Sequence, residues 1–229
     1  MTMNYREITI QASEPVAAPL KAHTPARSGA YRAGGKRVFD LVLCLLAAPL
    51  ALPLIAVLAF FVALGGGQPF YRQARIGRGG RTYRMWKMRS MVMDADDILE
   101  AHLAADPQAR TEWNRDQKLK SDPRITRFGY LLRRSSMDEL PQLWNVVLGE
   151  MSLVGPRPMM TSQKALYPGR DYYDLRPGIT GSWQVSDRNA SSFAERATYD
   201  AAYNKNLSLR EDMRILRDTV SVVLRGTGC

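Results

Sequence analysis

Leu41–Leu64 reads LVLCLLAAPLALPLIAVLAFFVAL, and this stretch decides what kind of fold the chain adopts. It carries no charge and almost nothing polar. An unbroken apolar run of roughly 20 residues is what a bilayer core of about 30 Å requires, so a membrane segment is expected rather than a buried core helix. A secretory signal would be shorter, closer to the N-terminus and followed by a small-residue cleavage site, whereas this run begins after a long polar leader. Pro49 and Pro53 fall near its middle, each removing a backbone donor and leaving the carbonyls of Leu45 and Pro49 without their helical partners. A kink or break is therefore expected. One kinked helix can cross the bilayer, because spanning helices tolerate proline. Alternatively, two half-helices enter and leave on one side. Lys36 and Arg37 precede the run and a basic block follows it, so both ends belong on the cytoplasmic side. That favours a re-entrant helix-break-helix, with Pro49 and Pro53 as the membrane break.

The basic block comprises Arg72, Arg75, Arg78, Arg81, Arg84, Lys87 and Arg89, with no acidic residue between them, in a chain of 229 residues with a formal charge of +10. Such a block binds anionic headgroups, phosphorylated substrates or nucleic acid, or is a solvated face. The length and the 45% hydrophobic content support one domain with a core plus an appendage. Residues 1–35, rich in Ala, Pro, Gly and Ser, read as a disordered leader. Residues 36–68 read as the membrane-embedded part and 69–229 as a cytosolic globular domain. Cys44 lies in the apolar run and Cys229 at the end, so neither a disulfide framework nor a metal site is expected, which fits a reducing, cytosolic-side location.

Beyond the apolar run, Pro69-Phe70-Tyr71 and Arg81–Lys87 read as strands of a short hairpin around Gly77–Gly80. Asp94–Ala105 reads as a helix with acidic residues in its first turn, followed by another helical stretch to Lys120, a turn at Asp122–Thr126 and a short helix at Arg127–Arg134. Tyr173–Val185 is turn-rich, a loop with a short strand. Ser192-Phe193-Ala194-Glu195 and Ser208-Leu209-Arg210-Glu211 are capping-box patterns, each opening a helix. In the second helix Leu209, Met213, Leu216, Val220 and Val223 recur at spacings of four and three, with Arg210, Arg214 and Arg217 on another face. That stripe suits a core-packing helix with a solvated basic side, or a helix lying on a membrane surface. The expected fold is α+β and mainly helical, with a small cytosolic domain holding a short hairpin and amphipathic interfacial helices.

The chemistry centres on Ser136-Met137-Asp138-Glu139-Leu140-Pro141-Gln142. Asp138 and Glu139 are expected at a helix N-terminus, where free amides and the dipole hold a carboxylate ionised and also welcome phosphate oxygens. A capping box from Ser136 to Glu139 is the structural alternative. An ionised Asp is a nucleophile for a phosphoryl centre, and a neighbouring Glu can hold a divalent cation, since phosphate-bound magnesium needs only one or two protein carboxylates. His23 and His102 are the only histidines and lie in the leader and an acidic helix, so a zinc site and a His general base are excluded. Arg157, between Pro156 and Pro158, has a restricted backbone suited to gripping phosphate. Lys87, Arg89, Arg124, Arg133, Arg134, Arg176 and Arg188 are further candidate phosphate contacts, and Gln184 a further substrate contact.

Phe39-Asp40, Lys87-Met88-Arg89-Ser90-Met91, Asp122-Pro123-Arg124-Ile125-Thr126, Asp138-Glu139-Leu140-Pro141-Gln142-Leu143, Leu153-Val154-Gly155-Pro156-Arg157-Pro158, Arg176-Pro177-Gly178-Ile179-Thr180-Gly181 and Arg188-Asn189 stand in one order. Over about residues 36–224 the chain thereby resembles the bacterial sugar transferases, the monotopic polyprenyl-phosphate phosphoglycosyl transferases. The resemblance implies transfer of a sugar 1-phosphate from a UDP-sugar to undecaprenyl phosphate, with release of UMP, at the cytoplasmic face of the bacterial inner membrane, as the first step of exopolysaccharide synthesis. It implies Mg2+, a nucleophilic Asp138, a Glu139 that supports it and the metal, and an Arg157 on phosphate. It also implies a re-entrant helix broken at Pro53. Here Leu52 precedes that proline where the family has serine, and Pro49 is extra. Length and the stretch around Asp106-Pro107 resemble the short members that begin exopolysaccharides with galactose or glucose. The expected partners are the UDP-sugar, undecaprenyl phosphate and membrane lipids, without nucleic acid; a homodimer is an open alternative. A membrane-anchored binding protein without catalysis, and a transferase that works by single displacement, are the rival readings.

Overall fold

The computed structural model describes residues 29–116, 119, 121–186 and 193–224. The apolar run lies within one helix, α1 (Lys36–Leu64), which contains both Pro49 and Pro53. The expected break is thus not a loss of helix; the prolines withdraw two donors while helical backbone continues on either side. Together with the helical turn before it, Tyr31–Leu64 is long and apolar enough to cross a membrane, by length and composition. Most of its apolar side chains face outward: Leu50 is 79% exposed and Leu45 73%. Apolar surface on that scale is unfavourable in water and suits a lipid surround.

Tyr31–Gly35 forms a helical turn that runs into α1; residues 1–28 lie outside the described residues. The turn is held by long-range partners that no local pattern announces. Tyr31 donates to Asp212 at 2.5 Å, and Arg32 donates to the side chain and carbonyl of Asn204. Lys36 pairs with the same Asp212 at 2.8 Å.

Two strands follow α1, β1 (Phe70–Ile76) and β2 (Thr82–Met88), and pair in a two-stranded sheet as expected. Helices α2 (Ala95–Ala105), α3 (Pro107–Asp116) and α4 (Arg127–Arg134) follow. The continuation of α3 to Lys120 lies outside the described residues, as do the side chains near its end. Then come α5 (Gln142–Leu148), β3 (Ser152–Val154), α6 (Asp171–Asp174), β4 (Gly178–Thr180) and α7 (Ser182–Val185). Strands β3 and β4 pair in parallel, Ser152 with Gly178 and Val154 with Thr180. The turn-rich stretch thus contains its strand and two short helices besides. Last come α8 (Arg196–Asn206) and α9 (Leu209–Leu224). Ser208 Oγ accepts from the Glu211 amide, as its capping pattern requires. The other pattern begins at Ser192, outside the described residues, and α8 opens at Arg196 after Glu195.

The chain divides into two compact units. One takes 29–46, Gln73–Met85 and Gln142–Val222; the other takes Ala47–Arg72 and Trp86–Pro141. The first has a core of Val154, Leu175, Tyr203 and Ile215, a second around Tyr83, Met85, Val146 and Met151 that also takes Cys44, and a third around Ile76, Met159, Tyr167 and Tyr172. Asp40 is buried there and accepts from Ser152 Oγ at 2.7 Å and from the Leu153 amide at 3.2 Å. Its charge therefore ties the start of α1 to β3. Arg37 caps α5 by donating to the carbonyls of Val146 and Val147, the orphan acceptors of a helix C-terminus.

The core of the second unit gathers Leu58, Val62, Met88 and Leu132, with Phe128, Met137 and Leu140 packed against it. A separate cluster joins Leu99, Leu103, Ala109 and Leu119.

In α9 only Leu216 of the stripe in the sequence pattern packs on the core. Ile215 and Asp212 are fully buried, whereas Leu209, Met213, Val220 and Val223 are exposed. Asp212 turns inward because Tyr31, Lys36 and Tyr203 all bind it, and that rotates the apolar stripe outward.

Candidate active site

Lys87 lies near the end of β2, and the acidic pair lies in the turn after α4. The frame between them is tight. Thr126 caps α4 by accepting from the Gly129 amide at 2.8 Å. Gly129 has no room for a side chain, since a Cβ there would stand 1.9 Å from the Ser90 carbonyl oxygen. Ser90 is buried and accepts from Arg133 Nε at 2.8 Å through its hydroxyl. The segment after β2 and the helix that leads to the acidic pair are thus locked backbone to backbone.

After α4, Ser136 adopts a left-handed φ of 56°, and the chain enters a single 3-10 turn, Met137–Glu139. This corrects the expected placement of Asp138 and Glu139 in the first turn of a helix. Pro141 has no amide to donate, so α5 starts only at Gln142, and the left-handed Ser136 makes no side-chain cap. The amides of Glu139 and Leu140 are already used inside the turn, by the carbonyls of Ser136 and Met137. A helix dipole therefore does not set the charge of the pair.

Lys87 does. Its Nζ lies 3.2 Å from Asp138 Oδ2 and 3.0 Å from Glu139 Oε1. Met137 and Leu140, on either side of the two acids, pack on the cluster that contains Leu58 and Val62 of α1. The pair is thereby fixed to the part of the apolar helix that follows the prolines. Burial by itself would lower the Lys87 ammonium, but Glu139 and Asp138 outweigh it and hold the lysine protonated well above its ordinary range. Burial raises the Asp138 carboxyl; Lys87 opposes this, Glu139 adds to it through like-charge repulsion, and the net direction is upward. A buried Asp138 and a half-buried Glu139 thus share the Lys87 ammonium.

The other predicted residues divide sharply. In the same unit, Arg133 also acts electrostatically on Asp138. Arg89 donates to the Val62 carbonyl at 2.8 Å, at the end of α1. Arg124 makes a two-pronged pair with Asp122 at 2.8 and 2.6 Å and stacks on Trp113, so its guanidinium is committed to the fold. Arg157, Arg176 and Gln184 belong to the other unit. There Arg176 donates to the Gly149 carbonyl at 2.9 Å. Arg157 follows β3 in a loop pressed against β4, where a Cβ on Gly178 would stand 2.1 Å from the Gly155 amide nitrogen. Its guanidinium lies 5.7 Å from the Trp183 ring. Gln184 is buried, and its amide has no hydrogen-bond partner among the described residues. Arg188 lies outside the described residues.

The profile of the bacterial sugar transferase family matches residues 31–226. The chain belongs to this family. It is 51% identical over 195 residues to a UDP-galactose-lipid carrier transferase of Erwinia amylovora, covering 84% of this chain and 41% of that protein. It is 46% identical to the undecaprenyl-phosphate galactose phosphotransferase of Salmonella typhimurium, again over 84% and 41%. The exopolysaccharide production protein ExoY of Rhizobium meliloti is 41% identical, over 89% of this chain and 93% of that protein. The chain thus spans about two-fifths of the length of the first two relatives and nearly all of the third.

Within this family member, sequence reading passed over Ser90 as a frame residue and Trp183 and Arg196 as neighbours of Arg157. Ser90 stood inside the quoted Lys87–Met91 motif, which was a usable signal. Arg196 had none, because only packing brings it to Trp183.

Proposed function

We propose that this chain transfers a sugar 1-phosphate, galactose or glucose, from a UDP-sugar to undecaprenyl phosphate, with release of UMP, as the first step of exopolysaccharide synthesis. The observation that carries the reading is the Lys87 ammonium between Asp138 and Glu139, in a turn fixed to the apolar helix.

In the proposed first step an Asp138 carboxylate oxygen attacks the β-phosphorus of the UDP-sugar. A bond forms between that oxygen and phosphorus, and the bond from phosphorus to the α–β bridging oxygen breaks. The electron pair leaves with UMP, and the sugar phosphate stays on Asp138 as an acyl phosphate. In the second step a phosphate oxygen of undecaprenyl phosphate attacks the same phosphorus and frees the Asp138 carboxylate. Lys87 holds Asp138 in place and offsets its charge before attack; Glu139 keeps the ammonium engaged while Asp138 is esterified. Arg133, beside Asp138, supplies positive charge for phosphate oxygens.

Asp138 and Glu139 would be the residues that hold Mg2+, since one or two carboxylates are the protein share such an ion takes at a diphosphate site, with Lys87 shifting off whichever oxygen the ion takes. When bound, the ion neutralises diphosphate charge.

The membrane arrangement is part of the proposal. α1 is read as a re-entrant segment, with the cytosolic domain on the cytoplasmic face of the inner membrane. Pro49 and Pro53 inside it and the cations at both ends support this. An acceptor phosphate at the interface then reaches the site by lateral diffusion.

The test is UMP release from UDP-galactose and UDP-glucose, with undecaprenyl phosphate and Mg2+, by wild-type and Asp138→Asn protein. Loss of release together with a trapped sugar-phosphate adduct on wild-type Asp138 supports the two-step route. Full activity in Asp138→Asn returns the chain to a binding protein without this chemistry.

A further inference from the structure

A second charged cluster lies in the unit that contains Arg157. Arg196, the first residue of α8, stacks on Trp183 of α7 with its Cζ 4.2 Å from the ring centroid, and on Phe193 at 4.9 Å. Arg157 approaches the same Trp183 at 5.7 Å. These side chains line a recess with Tyr167 and Asp200.

The charges in the recess do not balance. Two guanidiniums share one indole, and burial first, then the Arg157 charge, pulls the Arg196 pKa down to about 10. The acid among them, Asp200, is buried, accepts from Tyr167 Oη at 2.7 Å and makes no ion pair with Arg196 among the described residues. Burial pushes its pKa up to about 7, so at neutral pH it offers only part of a negative charge. Arg196 Nε is out of solvent with no hydrogen-bond partner among the described residues. Stacking on aromatic faces repays some of the cost of burying a guanidinium, but it satisfies no N–H donor and leaves the repulsion between the arginines. Arg196 is half-buried, so the cost falls on its Nε, a donor out of solvent and unsatisfied among the described residues. An anion with several acceptor oxygens removes both defects.

We propose that this recess is a phosphate-binding subsite, in which Arg196 and Arg157 together hold the oxygens of a phosphate ester over Trp183, making Arg196 a substrate-binding residue. The inference rests on the proposed function only for the source of the phosphate, which is the diphosphate of a UDP-sugar or the phosphate of the lipid acceptor. A planar guanidinium fork matches either.

The experiment is arginine labelling by phenylglyoxal on the full chain in lipid nanodiscs, read residue by residue by mass spectrometry, with pyrophosphate, UDP or undecaprenyl phosphate as probes. Each probe that binds in the recess slows labelling at both Arg196 and Arg157 at least fivefold, while the exposed Arg217 is unchanged. Protection by UDP and pyrophosphate alone assigns the subsite to the donor; protection by undecaprenyl phosphate alone assigns it to the acceptor. Unchanged labelling of Arg196 with all three probes overturns the proposal. Arg196→Met, which keeps an unbranched apolar stem, is expected to weaken binding of the protecting probe at least tenfold, with Arg196→Lys in between. Wild-type affinity in Arg196→Met also overturns it. UMP release is measured in the same preparation: release without protection sinks the subsite and leaves the transferase reading standing, and protection without release does the reverse.

Discussion

The two charged clusters of this protein are built with opposite imbalance. Around Lys87, one ammonium serves two carboxylates. Around Trp183, two guanidiniums stand with one carboxyl that burial makes reluctant to ionise. In each cluster a buried carboxyl whose ionisation burial opposes, Asp138 or Asp200, lies beside half-buried charges. In the proposed reading the first cluster supplies a nucleophile and the second receives an anion. Sites that retain unmatched charge are where chemistry and binding are to be sought.

The comparison can be broken at its acidic end first. Asp138→Asn removes the attacking oxygen's charge and is expected to lower UMP release by at least about a thousandfold, roughly 4 kcal/mol of barrier; a residual rate within tenfold of wild type rejects the nucleophile. Lys87→Met strips both acids of their shared cation. Removing one partner of a buried pair costs about 3–5 kcal/mol, so a large fall in melting temperature is expected near neutral pH, shrinking as acid protonates the carboxylates. A variant as stable as wild type at pH 7 would show that the pair is not the keystone of this turn. Gly129→Ala tests the frame instead of the charge. Its methyl meets the Ser90 backbone, and a loss of roughly 1–3 kcal/mol in denaturant unfolding is expected, with a matching loss of activity.

The basic cluster gives an effect with a definite sign. The Asp200 carboxyl, faced by Tyr167, Arg196 and Asp171, keeps its proton in the folded state up to about pH 7, whereas the unfolded chain releases it near pH 4. The folded state thus binds more protons across that window. The stability contributed is fully present below it and falls as pH rises through it, by at most about 1.4 kcal/mol per pH unit. Asp200→Asn is expected to flatten the decline in melting temperature between pH 4 and 7. An unchanged slope would remove Asp200 from the account of the recess.

Much of this architecture is legible in the sequence because it is local. The apolar run, the hairpin around Gly77–Gly80 and the bounds of α4 follow from composition and turn chemistry over a few residues. The acidic turn stood out in the sequence and was misread as geometry. Pro141 could be read as a helix delay, but the left-handed Ser136 depends on how α4 meets the turn. The α9 stripe misled for a related reason. Its 4-3 spacing is genuine, yet Asp212 is drawn inward by Tyr31, Lys36 and Tyr203, and these three polar contacts outweigh the preference of a few aliphatic side chains.

By itself the sequence determined that the chain carries a proline-bearing apolar helix, and which family it resembles. Those properties reside in order and periodicity along the chain. Only the tertiary structure decided that Lys87 rather than a helix terminus controls the acidic pair, that Arg196 joins Arg157 on Trp183, and that α9 shows its apolar stripe to the outside. Lys87 and Asp138 are separated by 51 positions, and a contact at that range is set by packing that no local pattern encodes.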